Sequence, residues 1–194
     1  MRYMAWALAA GGLLALLAGC KCECEGERES TGAGEFALRV SAGAEKEYVD
    51  QTGAKWLPDQ EFSEGKQYGA VGGQTVQRPD LKTVAGTKAP QVYLKERYGM
   101  SAYKFVLPQG QYKVRLHFAE TYEGITSAGE RVFSVSINGQ AVLKDLDVFK
   151  EAQGFAKPLV KEFKKIKAAD GKLAIEFAEQ TQHAEINGIE ILGE

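Results

Sequence analysis

The chain has 194 residues, 44% of them apolar and 26% charged, with 24 Lys+Arg against 26 Asp+Glu and a formal net charge of -2. That length supports one substantial domain with its own core, at roughly 100–200 residues per domain, and argues against a multidomain enzyme. The balanced charge offers no basic excess with which to hold a polyanion, so nucleic acid is not an expected partner.

Met1 and Arg2 make a short basic start, and Ala5 to Leu17 is then an uncharged run of small and apolar residues. This has the form of a secretory signal peptide and falls short of the roughly 20 apolar residues of a spanning helix. The sequence Leu17-Ala18-Gly19-Cys20 resembles the lipobox of bacterial lipoproteins. That resemblance implies removal of residues 1–19, lipidation of Cys20 and attachment to a membrane of the cell envelope. Lys21 stands where an Asp would signal inner-membrane retention, so in a cell with two membranes the outer one is expected. Cys22 and Cys24 complete a Cys-x-Cys-x-Cys cluster without a fourth ligand nearby. The cluster could bind a soft metal, form a disulfide or carry further acylation, and a reactive or oxidised tail suits it better than a structural zinc site, which takes four ligands at wider intervals. Residues 20–35, made of Glu, Gly, Arg, Ser and Thr with almost no apolar content after the cysteines, read as a lipidated cysteine followed by a disordered tether.

From Phe36 the dominant pattern is period two, which places alternate side chains on opposite faces of a half-buried strand. Phe36/Leu38/Val40, Tyr103/Phe105/Leu107, Tyr112/Val114/Leu116/Phe118, Phe133/Val135/Ile137 and Leu173/Ile175/Phe177 predict five strands. Residues 41–91, with many Gly, Gln, Asp and Pro, show little regularity apart from Tyr48-Val49 and are expected to form loops with a function. Lys157 to Ala169 fits either a helical face or a strand, and a strand is favoured. Pro108-Gln109-Gly110, Asn138-Gly139 and Asp170-Gly171 are turn formers and predict antiparallel hairpins. Short strands without alternating helices point to an all-β, jelly-roll-like antiparallel β-sandwich spanning residues 36–194.

Chemistry is sparse. No Gly-x-Ser-x-Gly elbow is present, and the two histidines, His117 and His183, stand in a strand's polar phase and in a loop. Asp145 and Asp147 share a face at i,i+2 spacing, but glycosidases need two carboxyls across a cleft, and solvated or capping Asp residues are common. Gly72-Gly73 lacks the context of a phosphate loop. No Asp/Glu-rich loop demands calcium, and no cofactor is expected. Tyr68, Tyr93, Tyr98 and Tyr122 fall in or beside loops. Amphipathic aromatic rings there suit the apolar C–H faces of sugars, although Tyr93 and Tyr98 also read as plain strand residues.

Four stretches resemble the malectin domain, a jelly-roll-like carbohydrate-binding module. They are Tyr48-Val49-Asp50 with Gly53, Trp56, Asp59, Phe62 and Gly65; Leu107-Pro108 with Gly110 to Glu120; Arg131-Val132-Phe133 to Ile137-Asn138-Gly139 with Val142 to Phe149; and Ile186-Asn187-Gly188-Ile189-Glu190-Ile191. The likeness places Asp145 and Asp147 in a framework segment, so they look structural. In animal malectin, loop aromatics at one end of the sandwich and an aspartate near the C-terminus contact sugar. The resemblance carries the aromatics to Tyr68, Tyr98 and Tyr122. The next aromatic position is Glu123 here, and the aspartate falls within Gln180 to His183, where no Asp stands. Glu123, Gln180, Thr181 and Gln182 are therefore the expected hydroxyl partners. The implied function is non-catalytic binding of an oligosaccharide or other glycan. The rival reading is a protein-interaction module that uses the same loops on an envelope partner.

Overall fold

In the computed structural model, residues 36–194 are described. The signal peptide, Cys20 and the tether with Cys22 and Cys24 lie outside them. Ten of the twelve strands in the described residues assemble into two main antiparallel sheets. One holds β1 (Ala37–Ser41), β12 (Gly188–Gly193), β6 (Gly110–Phe118) and β9 (Leu159–Ala168) in that order. In the other, β5 (Lys95–Val106) pairs along one edge with β4 (Tyr68–Gln77). Its other edge takes first β11 (Glu185–Ile186) and then β10 (Lys172–Thr181), and β7 (Val132–Ile137) and β8 (Gln140–Leu146) follow outward. The pair β2 (Tyr48–Val49) and β3 (Lys55–Trp56) stands apart. The all-β sandwich is the architecture that the period-two pattern predicts.

The alternation explains the two layers. Val114, Leu116 and Phe118 of β6 and Ile189 and Ile191 of β12 are buried from one sheet. Phe105, Phe133, Val135 and Ile175 are buried from the other, in one continuous core. Each such side chain contributes about 1.5–3 kcal/mol on removal from water. A second, smaller cluster of Trp56, Val84, Ala89, Val92, Tyr93 and Ala119 lies beneath the long 78–89 connection and fixes its course.

Three expectations meet a different outcome in detail. The segment expected to be loops, 41–91, contains the ten-residue strand β4. Its Tyr-Gly-Ala-Val-Gly-Gly run hides the periodicity, because three of its positions carry no side chain. Asn138-Gly139 does close a hairpin, with φ of 52° and 75° between β7 and β8, as a type I′ turn requires. Asp170-Gly171 and Pro108-Gln109-Gly110 instead pass the chain from one sheet to the other, since β9 and β6 lie in the sheet opposite β10 and β5. Turn chemistry fixes a local reversal but not the partner of the strand that follows. The ambiguous 157–169 segment is a strand, as favoured. Tyr93, read as a possible strand residue, lies instead in the short 3₁₀ helix Pro90–Leu94.

Three motif positions have clear physical causes. A Cβ on Gly188 would stand 2.7 Å from Val92 Cγ1 and 2.9 Å from Trp56 Cζ3, so β12 can cross the smaller cluster only with glycine there. Its neighbour Asn187 is fully buried; its side chain accepts from Ala119 N and donates to Lys95 O at 2.7 Å. That amide ties the end of β6 to the start of β5. Asp147 caps the four-residue helix α1 (Val148–Glu151) by accepting from Lys150 N at 2.9 Å, and also accepts from Gly129 N at 2.6 Å. It is therefore a framework residue, as the resemblance implies.

Candidate functional site

The C-terminal ends of β4, β6 and β10 and the N-terminal ends of β5 and β7 meet at one end of the sandwich, where a cleft of about 270 Å³ opens. β4 supplies Val76 and, just beyond it, Arg78; β5 supplies Glu96 and Tyr98 from one side of the strand at i,i+2 spacing. The β6–β7 connection supplies Tyr122 and Arg131. The fourth wall is a break between β10 and β11. The chain leaves the sheet after Thr181 and rejoins it at Glu185, presenting Gln182 and His183. Gln182 has a φ of 59°, and Gly99 N donates to Ala184 O at 2.9 Å, holding the break against β5. Gly73 allows the close approach beneath Tyr98: its φ is 83°, and a Cβ there would lie 2.7 Å from Tyr98 O and Met100 N.

The polar groups of this end are mostly tied to one another. Arg78 Nη2 donates to Glu96 Oε1 at 2.6 Å, Thr121 Oγ1 donates to Glu96 Oε2 at 2.5 Å, and the Arg78 guanidinium sits 5.6 Å from the Tyr122 ring centroid. Arg131 Nε lies 3.0 Å from Glu120 Oε2 as an ion pair without hydrogen-bond alignment, and Tyr122 N donates to Glu120 Oε1 at 2.9 Å. Tyr98 Oη donates to Gln74 Oε1 at 2.7 Å, and its ring lies 6.0 Å from that of His183. Burial pushes the Glu120 carboxyl above its ordinary value, against the opposing pull of Arg131. Glu185 is fully buried with both carboxylate oxygens unbonded. Burial, reinforced by the nearby Glu96 and Glu120 charges and opposed by Arg131, raises it well above the usual carboxylate range. Beneath the cleft the two guanidiniums are each matched by a carboxylate, Arg78 by Glu96 and Arg131 by Glu120, and Glu185 has no cation of its own.

Of the residues expected in a site, Tyr98, Tyr122 and Gln182 are brought together here, with Glu123 in an adjoining cleft. Three others are not. Tyr68 is 7% exposed in the main core, and its hydroxyl donates to Pro58 O at 2.9 Å. It stands at the opposite end of β4 from Val76, roughly 25 Å along a strand that rises about 3.3 Å per residue. Gln180 donates to Ser134 Oγ at 2.9 Å and Asp145 Oδ1 at 2.8 Å, and Thr181 pairs with Val132 on the β7 side. Neither residue lines the cleft, and Gln180 is held on the β7–β8 side by those two bonds. Arg78, Glu96 and Arg131 were missed as site residues. The i,i+2 relation of Glu96 to Tyr98 was a usable signal, whereas Arg78 reaches the cleft only because β4 pairs with β5. His183, the loop histidine, also lines the cleft.

His117 has a different place. Its ring is buried between Tyr93 Oη, 2.8 Å from Nδ1, and Glu190 Oε1, 3.0 Å from Nε2, with Trp56 edge-on at 5.2 Å between ring centroids. This network packs on Trp56 and Tyr93 of the smaller cluster and shares no residue with the cleft. Among the described residues no group of three or more His, Cys, Asp or Glu side chains is arranged to hold a metal ion.

An antiparallel sandwich that gathers aromatic and planar polar side chains into a cleft at one loop end has the build of a binding module, in which rigid strands present variable loops. The chain belongs to the Malectin domain family, which matches residues 36–192. Malectin-B of Xenopus laevis is 32% identical over 114 residues, covering 57% of this chain and 38% of that protein. A probable receptor-like protein kinase of Arabidopsis thaliana, At5g38990, is 42% identical over 60 residues, covering 31% of this chain and 7% of the kinase. The chain thus spans well under half the length of these relatives. Among solved structures, a β-glucuronidase of Bacteroides uniformis superposes with a TM-score of 0.73 at 26% identity, over 82% of this chain and 18% of the enzyme. A plant complex of the peptide RALF23 with FER and LLG2 matches with a TM-score of 0.67 at 22% identity, over 80% of this chain and 48% of the plant chain, and shares the fold.

Proposed function

We propose that the protein is a non-catalytic carbohydrate-binding module, held at the cell envelope by lipid on Cys20, that takes a glycan in the cleft between Tyr98 and Tyr122. The observation that carries this reading is the pairing of two tyrosine rings with planar polar groups, Arg78 and Gln182, around a cleft of about 270 Å³. Aromatic rings accept the apolar face of a hexose, and amide and guanidinium edges read its hydroxyls. A single site of this kind gives micromolar to millimolar affinity, about -8 to -4 kcal/mol, and clustering of lipid-anchored copies raises avidity without new contacts.

A broad glycan array probed with wild type and Tyr122→Ala tests the cleft. Tyr122 is 44% exposed, so its truncation spares the core, and capture of any glycan hit is expected to fall by about tenfold or more. Equal capture by both proteins removes the tyrosine cleft from the reading. No hit with multivalent wild type turns it to an envelope protein partner on the same loops. The anchor has its own readout: fatty-acid labelling of the wild type in its host is expected to vanish in Cys20→Ser, and persistence of the label would reject lipidation at that residue.

A further inference from the structure

A second cleft of about 300 Å³ adjoins the first, and Arg78 and Tyr122 belong to both. It is lined in addition by Phe155 and by the polar side chains Gln77, Asp80 and Glu123. Tyr122 and Phe155 are 44% and 40% exposed, and they are the exposed aromatic side chains among the described residues. An isolated exposed apolar residue needs no explanation, but two aromatic rings on one cleft beside a candidate binding site do.

The backbone around Phe155 is also held in a costly shape. Gln153 and Ala156 have φ of 62° and 54°, and Gly154 has 131°, so non-glycine residues on both sides of Phe155 occupy the left-handed region. Ala156 N donates to Glu120 O at 2.8 Å, which fastens this turn to the end of β6, two residues before Tyr122. Strain retained at a fixed, solvent-facing aromatic is the pattern expected of a ligand platform.

We infer that this cleft is a second sugar subsite, so that the ligand is a glycan chain of at least two units that crosses the Tyr122 ring and lays its next unit against Phe155. The inference rests on the carbohydrate reading of the first cleft. Each cleft alone lies near the floor of the range of about 300–1,000 Å³ in which small-molecule sites fall, and the two joined are well inside it. Asp80 and Glu123 accept hydroxyl hydrogens there, while Phe155 carries the apolar face, so the subsite favours neutral units over anionic ones.

The test measures binding of the full chain in detergent to size ladders, one to six units long, of α-1,4-, β-1,4- and β-1,3-linked glucose and of chitooligosaccharides, for wild type, Phe155→Ala and Tyr98→Ala. In the ladder that binds, wild-type affinity is expected to rise about tenfold between one unit and the length that fills both clefts. Phe155→Ala is expected to abolish that rise and leave the shortest bound unit unchanged, whereas Tyr98→Ala weakens every length. A rise that survives in Phe155→Ala, or a wild type that binds single units as tightly as long chains, overturns the second subsite and leaves the first. A wild type that binds no ladder counts against the carbohydrate reading and the subsite with it.

Discussion

Asp59→Ala is expected to lower the free energy of unfolding by about 3–5 kcal/mol, the cost of removing one partner from a buried ion pair. The Asp59 side chain is 3% exposed and accepts four hydrogen bonds. Gly43 N and Arg97 Nε each lie at 2.8 Å, Gln60 N at 2.9 Å and Tyr103 Oη at 3.0 Å. Its truncation strands a guanidinium that is itself 5% exposed. Arg97 Nη1 keeps Glu61 at 2.6 Å and the Gly72 carbonyl at 2.9 Å, but Nε loses its acceptor and the Tyr103 hydroxyl is orphaned in the core. Asp59→Asn is expected to lose less, because the amide keeps the shape and one acceptor oxygen. Urea denaturation read by tryptophan fluorescence separates the three proteins by midpoint at constant slope. A loss below about 1 kcal/mol for the alanine variant would mean that Glu61 can take over the whole guanidinium.

Asp59 also marks what the sequence made legible. The layers were readable because burial enforces alternation, and Tyr112/Val114/Leu116/Phe118 are all fully buried along β6. The motif residues were recognisable as a set, yet their work appears only in three dimensions. Asp59 meets Arg97 and Tyr103 across 38 and 44 positions of chain. Asn187 joins Ala119 to Lys95, and Gly188 clears Trp56. The cleft was legible in part. Tyr98 and Tyr122 could be carried over one motif at a time, but the same carry-over put Tyr68 in the site although β4 buries it at the other end. What decides the difference is the register of β4 on β5, in which Tyr68 faces Phe105 while Val76 faces Glu96. A glycine-rich strand conceals that register, so neither Arg78's place in the cleft nor Tyr68's place in the core could be read beforehand. Phe155 gave no signal at all, since an exposed loop phenylalanine is unremarkable until its neighbours are known.

Glu185→Gln is expected to make the protein more stable than wild type, by a margin that grows with pH. The wild-type carboxyl is fully buried, its oxygens are unbonded, and its proton affinity in the folded state is raised well above the ordinary value of 4.5. Between that value and the raised one, the folded chain keeps a proton that the unfolded chain has released. More protons bound in the native state means that stability falls as pH rises, by about 1.4 kcal/mol per pH unit for one such group. Glutamine has no proton to lose, so the difference between the two proteins is flat below about pH 4.5 and opens upward from there until the folded-state value is passed. Glu190 and Asp50 are lowered and lend stability that is lost in acid, and both cancel in the difference, whereas Glu120 is raised as well and, because its charge acts on Glu185, titrates as part of the same pair. Thermal unfolding of the pair from pH 4 to pH 9, with the exposed Glu64→Gln as a control, measures the divergence. A difference that stays constant with pH would show that Glu185 is already ionised and held by Arg131. In that case the floor beneath the cleft carries an extra negative charge, and the balance that favours a neutral ligand is lost. Divergence on the alkaline side instead leaves Arg131 shared with Glu120 alone, and ties the chemistry of the cleft to a carboxyl that never reaches solvent.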